Sequence, residues 1–257
     1  MKHVFYSEPF LTYSQGSLYW QLEDIWVAPT WSSIEYDGRW KLLHYAAKAA
    51  YEPVIIAPYF DYTTGNLSVW VTSDLWEPIS GEASFEWFDW SGRKLPVDNN
   101  ASSSSTNFTV GAINSTQVLQ TNTTYLLPTP QQRQNAILKM SVTATGHLPN
   151  SPTTKPFKHT SWFHASPLKD ASLVDPGLKL SYSNSTGNFT VRATEGLAAW
   201  VWLEHGAGVL GNFGDNGFWL GKGEEREVGF RVKRDDTGGK WVGEVRVGSL
   251  WDQTLEE

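Results

Sequence analysis

One stretch, from Gly16 to Tyr51, constrains the fold more than any other because its residue pattern changes twice. It reads GSLYWQLEDIWVAPTWSSIEYDGRWKLLHYAAKAAY, an apolar run followed by a Trp-rich loop and an amphipathic segment. The apolar run Ser17–Leu22 predicts a strand covered on both faces, as in a parallel sheet. Asp37 and Gly38 offer an N-cap, and Pro53 ends the predicted helix. Together they predict one βα unit, whose strand needs parallel neighbours on both edges.

The predicted helix has two distinct sides. Its polar stripe consists of Lys41, His44, Lys48 and Glu52, and its apolar side of Trp40, Leu43, Ala47, Ala50 and Tyr51. A helix with this division packs one face against an apolar surface.

Beyond Pro53 the pattern changes to short alternating runs separated by turn residues, which predicts strands. The first set is Val54–Tyr59, Leu67–Thr72, Ala83–Trp90, Thr116–Gln120, Ala136–Thr145 and His159–Phe163; the second is Leu178–Tyr182, Phe189–Ala193, Ala198–Leu203, Glu227–Val232 and Trp241–Val247. The polar stretch Asp98–Thr106 is predicted to be a mobile loop. Two consecutive immunoglobulin-like β-sandwiches with a boundary near residue 170 are the fold expected of this pattern.

The segment YWQLEDIWVAPTWSSIEYDGRWKLLHY resembles the last barrel strand, loop and helix of the β-mannosidases of glycoside hydrolase family two, the secreted fungal members above all. The segments VWVTSDLW, WFDWSG, SVTATGHLPN, LVDPGLKLSY and GEVRVGSLWD resemble the two C-terminal sandwich domains of those enzymes. The resemblance implies a mainly β chain in three parts. Residues 1–52 would be the remnant of a (β/α)8 barrel, residues 53–170 one immunoglobulin-like sandwich, and residues 171–257 a second.

The resemblance also implies an activity, the removal of terminal non-reducing β-D-mannose from β-mannosides by an exo-acting, retaining enzyme. Such enzymes use one glutamate as acid/base and another as nucleophile, and need no cofactor. In the family both glutamates come from earlier barrel strands, so we expect this chain alone to be inactive. Glu8 is not the nucleophile, because a strand–helix–strand crossover of about 30 residues does not fit between it and Trp20. The fungal members further imply a possible homodimer.

Substrate contacts are expected at the end of the predicted barrel strand, where barrel enzymes carry their chemistry. The resemblance matches Trp20 to the tryptophan that forms the floor of the mannose subsite, and an indole face suits a sugar face. Gln21, Asp24, Trp26 and Trp31 are further candidates for the rim. For Glu23 and Asp24 a structural role, hydrogen bonding within the loop, is the favoured interpretation. Trp70, Trp87, Trp200 and Trp202 are predicted to belong to the sandwich cores.

The composition of the chain argues against nucleic acid and membranes as partners. A net charge of −7 argues against a nucleic-acid surface, and no apolar run approaches the roughly 18 residues of a membrane span. The chain has no cysteine, which excludes disulfides and thiolate chemistry.

Many sequons favour a secreted glycoprotein. Asn-x-Ser/Thr triplets begin at Asn66, Asn100, Asn107, Asn114, Asn122, Asn184 and Asn188. The N-terminal residues have no h-region and no cleavage site, so they are not a signal peptide. We therefore expect the true N-terminus upstream, in an open reading frame that also encodes the rest of the barrel.

Two motifs are predicted to be without function. The run Gly206–Gly211 formally matches the GxGxxG dinucleotide fingerprint, but turn-forming residues follow it where a helix is required, so a glycine-rich β connection is expected. His159 and His164 fall on opposite faces of a strand, and no metal site is predicted.

A stand-alone carbohydrate-binding or adhesion module of two sandwiches is the alternative function. The βα segment argues against it, because an independent module has no use for an unpaired parallel strand. Calorimetric titration with mannobiose distinguishes the two, since binding without turnover favours the module.

Overall fold

The computed structural model describes residues 18–96 and 103–255, which form two compact units. The N-terminal sandwich comprises the described residues from Ala50 to Ser172, and the C-terminal unit combines Leu18–Ala49 with the described residues from Leu173 onward. The sequence suggested that the first of these segments belongs to a separate barrel domain. In the structure it packs with the C-terminal sandwich.

The C-terminal unit begins with an irregular loop, residues 18–41, followed by helix α1 (Leu42–Ala50). The predicted strand is not observed at residues 18–22, and Ser17 lies outside the described residues; Glu23 forms only an isolated parallel bridge with Ile34. The physical reason is that the described residues supply no neighbouring parallel strand to pair with.

Helix α1 begins later than predicted because Gly38 has a φ of +85°, outside the helical region, and Trp40 pairs with Ile34 instead. Its predicted packing face is also wrong. Leu43 and Tyr51 are exposed, and Tyr45 is the one residue of the helix that is buried.

The N-terminal sandwich has seven strands: β1 (Val54–Asp61), β2 (Asn66–Ser73), β3 (Ile79–Asp89), β4 (Ser103–Val110), β5 (Asn114–Asn122), β6 (Ala136–Gly146) and β7 (Lys155–His164). Helices α2 (Thr123–Leu126) and α3 (Pro130–Asn135) connect β5 to β6. The sheets have strand orders β1-β2-β5 and β4-β3-β6-β7, and all pairs are antiparallel.

Alternation of side chains builds the core of this sandwich. Leu67, Val69 and Val71 of β2 are fully buried, as are Leu138 and Met140 of β6 in the facing sheet. The predicted strands of this half are confirmed to within four residues at each end. The predicted loop Asp98–Thr106 is corrected in its last residues, because Ser103 begins β4 and pairs with Glu86 of β3. Serines are tolerated there because β4 is an edge strand and the side chains of Ser104 and Ser105 are exposed.

The sandwich of the C-terminal unit also has seven strands: β8 (Leu178–Ser183), β9 (Asn188–Ala193), β10 (Ala198–Glu204), β11 (Val209–Phe213), β12 (Phe218–Leu220), β13 (Glu225–Asp235) and β14 (Arg246–Gly248). They form antiparallel sheets of order β11-β13-β9-β8 and β12-β10-β14. Phe189, Val191, Val201, Leu203 and Val228 fill the core between them.

Sequence prediction for this unit succeeds for β8, β9, β10 and β13 and fails at Trp241–Val247. There Lys240–Glu244 is a 3-10 turn that follows Gly239, whose φ is +87°, and only the short β14 is extended. The glycine run Gly206–Gly211 leads into strand β11 rather than a helix, which confirms a β connection and excludes the dinucleotide motif.

No helix among the described residues is long and apolar enough to cross a membrane.

Candidate functional site

The predicted substrate-binding residues lie in the Trp-rich loop, defined here as residues 18–41. Backbone hydrogen bonds hold two of its segments side by side: Ser33 N–H donates to Gln21 O at 3.0 Å, and Ile34 N–H donates to Leu22 O at 2.9 Å. Asp24 N–H donates in turn to Ile34 O at 2.9 Å. These bonds fix the backbone from Gln21 to Asp24 without a regular strand.

Three indole side chains of this loop are open to solvent. Trp20 is 75% exposed, Trp26 63% and Trp31 74%, and the Trp20–Gln21 peptide bond is cis. Gln21 donates its side-chain N–H to Glu23 O at 3.3 Å. Exposed indoles can offer a flat apolar face to a ligand. The contacts of the described residues do not bring the three rings together.

Asp24, by contrast, is buried, and both of its carboxylate oxygens accept hydrogen bonds. Lys41 Nζ lies 2.8 Å from one carboxylate oxygen, and the Thr30 hydroxyl donates to the other. The hydrogen bond from Lys41 is the largest cause that lowers the pKa of Asp24, so the carboxylate stays ionised. Lys41 also donates to Ser32 Oγ at 3.0 Å. The geometry makes Asp24 an anchor that holds the loop.

Long-range contacts attach the loop and α1 to the C-terminal sandwich. Asn212 of β11 accepts a hydrogen bond from Trp40 N–H at 3.0 Å and donates one to Gly38 O at 3.1 Å. The Tyr45 hydroxyl donates to Phe213 O at 3.1 Å, and Lys48 Nζ to Gly214 O at 2.8 Å. Burial raises the pKa of Tyr45, which keeps its phenol neutral.

A cavity of about 610 Å³ lies beside this attachment. Loop and helix residues from Glu35 to Tyr45 form one wall, and the outer face of β10, with Trp200, Trp202 and Glu204, forms another. None of the five predicted substrate-binding residues lines it. The loop candidates and the cavity are therefore separate features of the unit.

The cavity corrects the prediction for two tryptophans. Trp200 and Trp202 were expected in the core, but Trp200 is 37% exposed and both line the cavity. Val201 and Leu203 already fill the core side of β10, so the residues between them face outward. Trp87 is buried as predicted.

Sequence comparisons identify the family. Residues 65–159 match the domain family described as the mannosidase Ig/CBM-like domain, and residues 173–253 match the Ig-fold domain of mannosidases. Beta-mannosidase A of Aspergillus oryzae is 49% identical over 243 residues, which are 94% of this chain and 26% of the relative. Its Aspergillus niger counterpart is 49% identical over 242 residues, 93% of this chain and 26% of the relative. The chain belongs to the β-mannosidases of glycoside hydrolase family two.

The match corresponds to the C-terminal portion of the β-mannosidases. A β-D-mannosidase from Dictyoglomus thermophilum superposes with a TM-score of 0.60 over 90% of this chain and 26% of that chain, at 14% identity. That likeness shows the fold alone. The chain spans about a quarter of the length of these β-mannosidases.

The sequon asparagines of this chain differ in their surroundings. Asn66, Asn107, Asn114 and Asn184 are exposed, whereas Asn122 and Asn188 are half-buried. Asn122 donates to Thr64 O at 2.9 Å and to Asn66 Oδ1 at 2.8 Å, and caps helix α2. Asn100 lies outside the described residues.

Sequence reasoning missed the cavity residues of β10, although a signal was present. In AAWVWLE the residues Trp200, Trp202 and Glu204 alternate with Val201 and Leu203, so the two sets must face opposite sides of the strand. A glutamate in the same set as the tryptophans indicates the outward side.

Proposed function

We propose that this chain is the C-terminal part of an exo-acting, retaining β-mannosidase that hydrolyses terminal non-reducing β-D-mannose residues in mannan and glycan oligosaccharides. The observation that carries the proposal is the 49% identity to Beta-mannosidase A of Aspergillus oryzae over 94% of the chain. Residues 1–52 then correspond to the C-terminal remnant of a (β/α)8 barrel, whose other strands would complete the sheet.

Catalysis in this proposal belongs to a pair of glutamates on other barrel strands. A retaining glycosidase holds its two carboxylates about 5 to 5.5 Å apart across the scissile bond. Asp24 is engaged by Lys41 and Thr30, so it is not a candidate for either role. We therefore expect the 257-residue chain alone to have no hydrolase activity.

Trp20 is assigned the floor of the mannose subsite. Its exposed indole can cover the apolar face of a pyranose, and the fixed backbone from Gln21 to Asp24 holds the residue in place. Gln21, Trp26 and Trp31 would form the rim. Asp24 contributes to the site by anchoring the loop.

The remaining features of the proposal concern location and partners. We propose a secreted glycoprotein that acts on β-mannoside oligosaccharides without a cofactor, and a homodimer is the assembly implied by the fungal family members. The alternative, a stand-alone binding module, is less well supported because the relatives that match almost the whole chain carry the name of an enzyme.

A chimera tests the proposal. The 243-residue matching portion of the Aspergillus oryzae relative is replaced by this chain, and hydrolysis of p-nitrophenyl β-D-mannoside is measured. We expect the chimera to be active and the isolated chain to be inactive. In the chimera, Trp20→Ala should reduce kcat/KM by about tenfold or more, which corresponds to about 1.4 kcal/mol of transition-state binding.

Trp76→Ala is the matched control, because Trp76 is also an exposed tryptophan at 60% but lies in the N-terminal sandwich. It should leave kcat/KM unchanged. A chimera that folds, as judged by circular dichroism, but does not hydrolyse the substrate would contradict the proposal. Turnover by the isolated chain would contradict the assignment of catalysis to other strands.

A further inference from the structure

We propose that the cavity on the outer face of β10 is a binding site for a neutral saccharide, separate from the exposed tryptophans Trp20, Trp26 and Trp31 of the Trp-rich loop. At about 610 Å³ the cavity lies within the ~300–1,000 Å³ that is usual for small-molecule sites. Its evidence is independent of the mannosidase assignment, because it consists of the side chains that line the cavity.

The first observation is a backbone feature that turns an indole outward. Trp200 has a φ of +55°, which residues with a side chain rarely adopt, and the register of β10 with β12 shifts between Ala198 and Val201. Bulges of this kind re-aim side chains and are common beside functional sites. Trp200 lies against Trp219 with ring centroids 5.9 Å apart, yet remains 37% exposed.

The second observation concerns two residues that line the cavity, His205 and Arg39. Each has a buried side-chain nitrogen, His205 Nε2 and Arg39 Nε, without a protein partner among the described residues. His205 is only 8% exposed, and its Nδ1 lies 3.0 Å from Gly206 O. A carbonyl only accepts hydrogen bonds, so Nδ1 donates and Nε2 of the neutral ring is an acceptor. Arg39 Nε–H is a donor. Buried groups of this kind normally have a partner.

These groups select the chemistry of the ligand. A sugar hydroxyl both donates and accepts, so one class of ligand can satisfy His205 Nε2 and Arg39 Nε while its apolar face lies on an indole. The carboxylates of Glu35 and Glu204 also line the cavity and disfavour an anion. A purely apolar ligand would leave the buried polar atoms unpaired. A neutral polyhydroxylated ring fits all these conditions.

The test is calorimetric titration of the full 257-residue chain with mannobiose, cellobiose and maltose, each alone. We expect at least one of them to bind with a Kd of about 1 mM or tighter. Trp200→Asn should raise that Kd at least tenfold, and asparagine is chosen because it tolerates a positive φ. Glu204→Gln, at an exposed position, keeps the side-chain shape but replaces a carboxylate with an amide, which accepts weaker hydrogen bonds from sugar hydroxyls, and should raise the Kd several-fold.

Trp76→Ala is the matched control, since it removes an exposed indole of the N-terminal sandwich and should leave the Kd unchanged within twofold. Failure of all three disaccharides to bind overturns the proposal. Binding that is lost in Trp20→Ala and kept in Trp200→Asn also overturns it, and assigns the saccharide to the loop. If Trp200→Asn fails to fold, Glu204→Gln decides, and an unchanged Kd in that variant overturns the proposal. Hydrolysis by the chimera is a different readout, so the two proposals can fail separately.

Discussion

Asn212 holds Trp40 across 172 positions of sequence: its Oδ1 accepts the Trp40 N–H at 3.0 Å, and its Nδ2 donates to the adjacent loop at Gly38 O. Asn212 is buried, and one side chain thus satisfies a backbone donor and a backbone acceptor. Asn212 is therefore one of the residues that attach the Trp-rich loop to the sandwich, together with Lys233, which also donates to Gly38 O.

Replacement of Asn212 by alanine should therefore destabilise the C-terminal unit. The change leaves the partly buried Trp40 N–H unpaired, which costs about 1–3 kcal/mol, whereas Gly38 O keeps its hydrogen bond from Lys233 Nζ. Thermal unfolding measures the loss, and hydrogen exchange should show a protected Trp40 amide that becomes unprotected in Asn212→Ala. Asn184→Ala, at an exposed position, is the control and should change neither. Protection of the Trp40 amide that persists in the variant would show that Asn212 is dispensable.

The ion pair between Asp24 and Lys41 should make the stability of the Trp-rich loop depend on pH in the acid range. Because the pKa of Asp24 is lowered in the folded chain, chiefly by the hydrogen bond from Lys41, this group stabilises the fold above its ordinary value of 3.8. The stabilisation is lost as pH falls through the lowered pKa. In Lys41→Met the pKa should rise toward the ordinary value, as measured by NMR titration of the Asp24 carboxyl carbon. Lys158→Met, at an exposed position of the other sandwich, should leave it unchanged.

Tyr45 should limit stability at the opposite end of the pH range. Burial raises its pKa, so the neutral phenol contributes stability that is fully present below the ordinary value of 10.0 and is lost as pH rises above it. Tyr45→Phe removes the bond to Phe213 O and should cost about 1 kcal/mol at neutral pH. Above pH 10 its stability should fall less steeply than that of the parent chain. Tyr125→Phe, whose ring is 85% exposed, should follow the parent curve.

Glycan occupancy should follow the environment of each sequon. In a secreting eukaryotic host we expect modification of the exposed Asn107 and Asn184 and none at Asn122. The Asn122 amide nitrogen donates two hydrogen bonds, and a glycan replaces one of its two hydrogens, so one of these bonds would be lost. Peptide mapping after enzymatic deglycosylation in heavy-oxygen water measures this. A glycan at Asn122 in the folded, secreted chain would contradict the expectation.

Local patterns predicted the strands with strong alternation and missed the others. Leu67, Val69 and Val71 located β2 to within one residue at each end, because every second residue must enter the core. Strand β11 was missed since its sequence, VLGNF, lies in a glycine-rich region that reads as a turn. Strand β4 was not predicted at all, because its first residues are a run of serines without apolar alternation.

The candidate sites depended on information that local patterns do not contain. The family resemblance suggested Trp20, whose ring is indeed exposed, but no spacing rule relates Trp40 to Asn212. The outward face of β10 could have been read from the alternation of Trp200 and Trp202 with Val201 and Leu203. The prediction instead placed both tryptophans in the core, because large aromatic side chains are usually buried.

The attachment through Asn212 has a consequence for biosynthesis. Ribosomes add roughly 5–20 residues per second, so the Trp-rich loop is made roughly 10 to 35 s before the strand that receives it. During that interval the whole N-terminal sandwich is translated, and Trp40 and Tyr45 lack the strand that they contact in the folded unit. The nascent chain therefore carries an unsheltered aromatic segment until its last quarter emerges, which makes this interval the one in which chaperone binding should matter most.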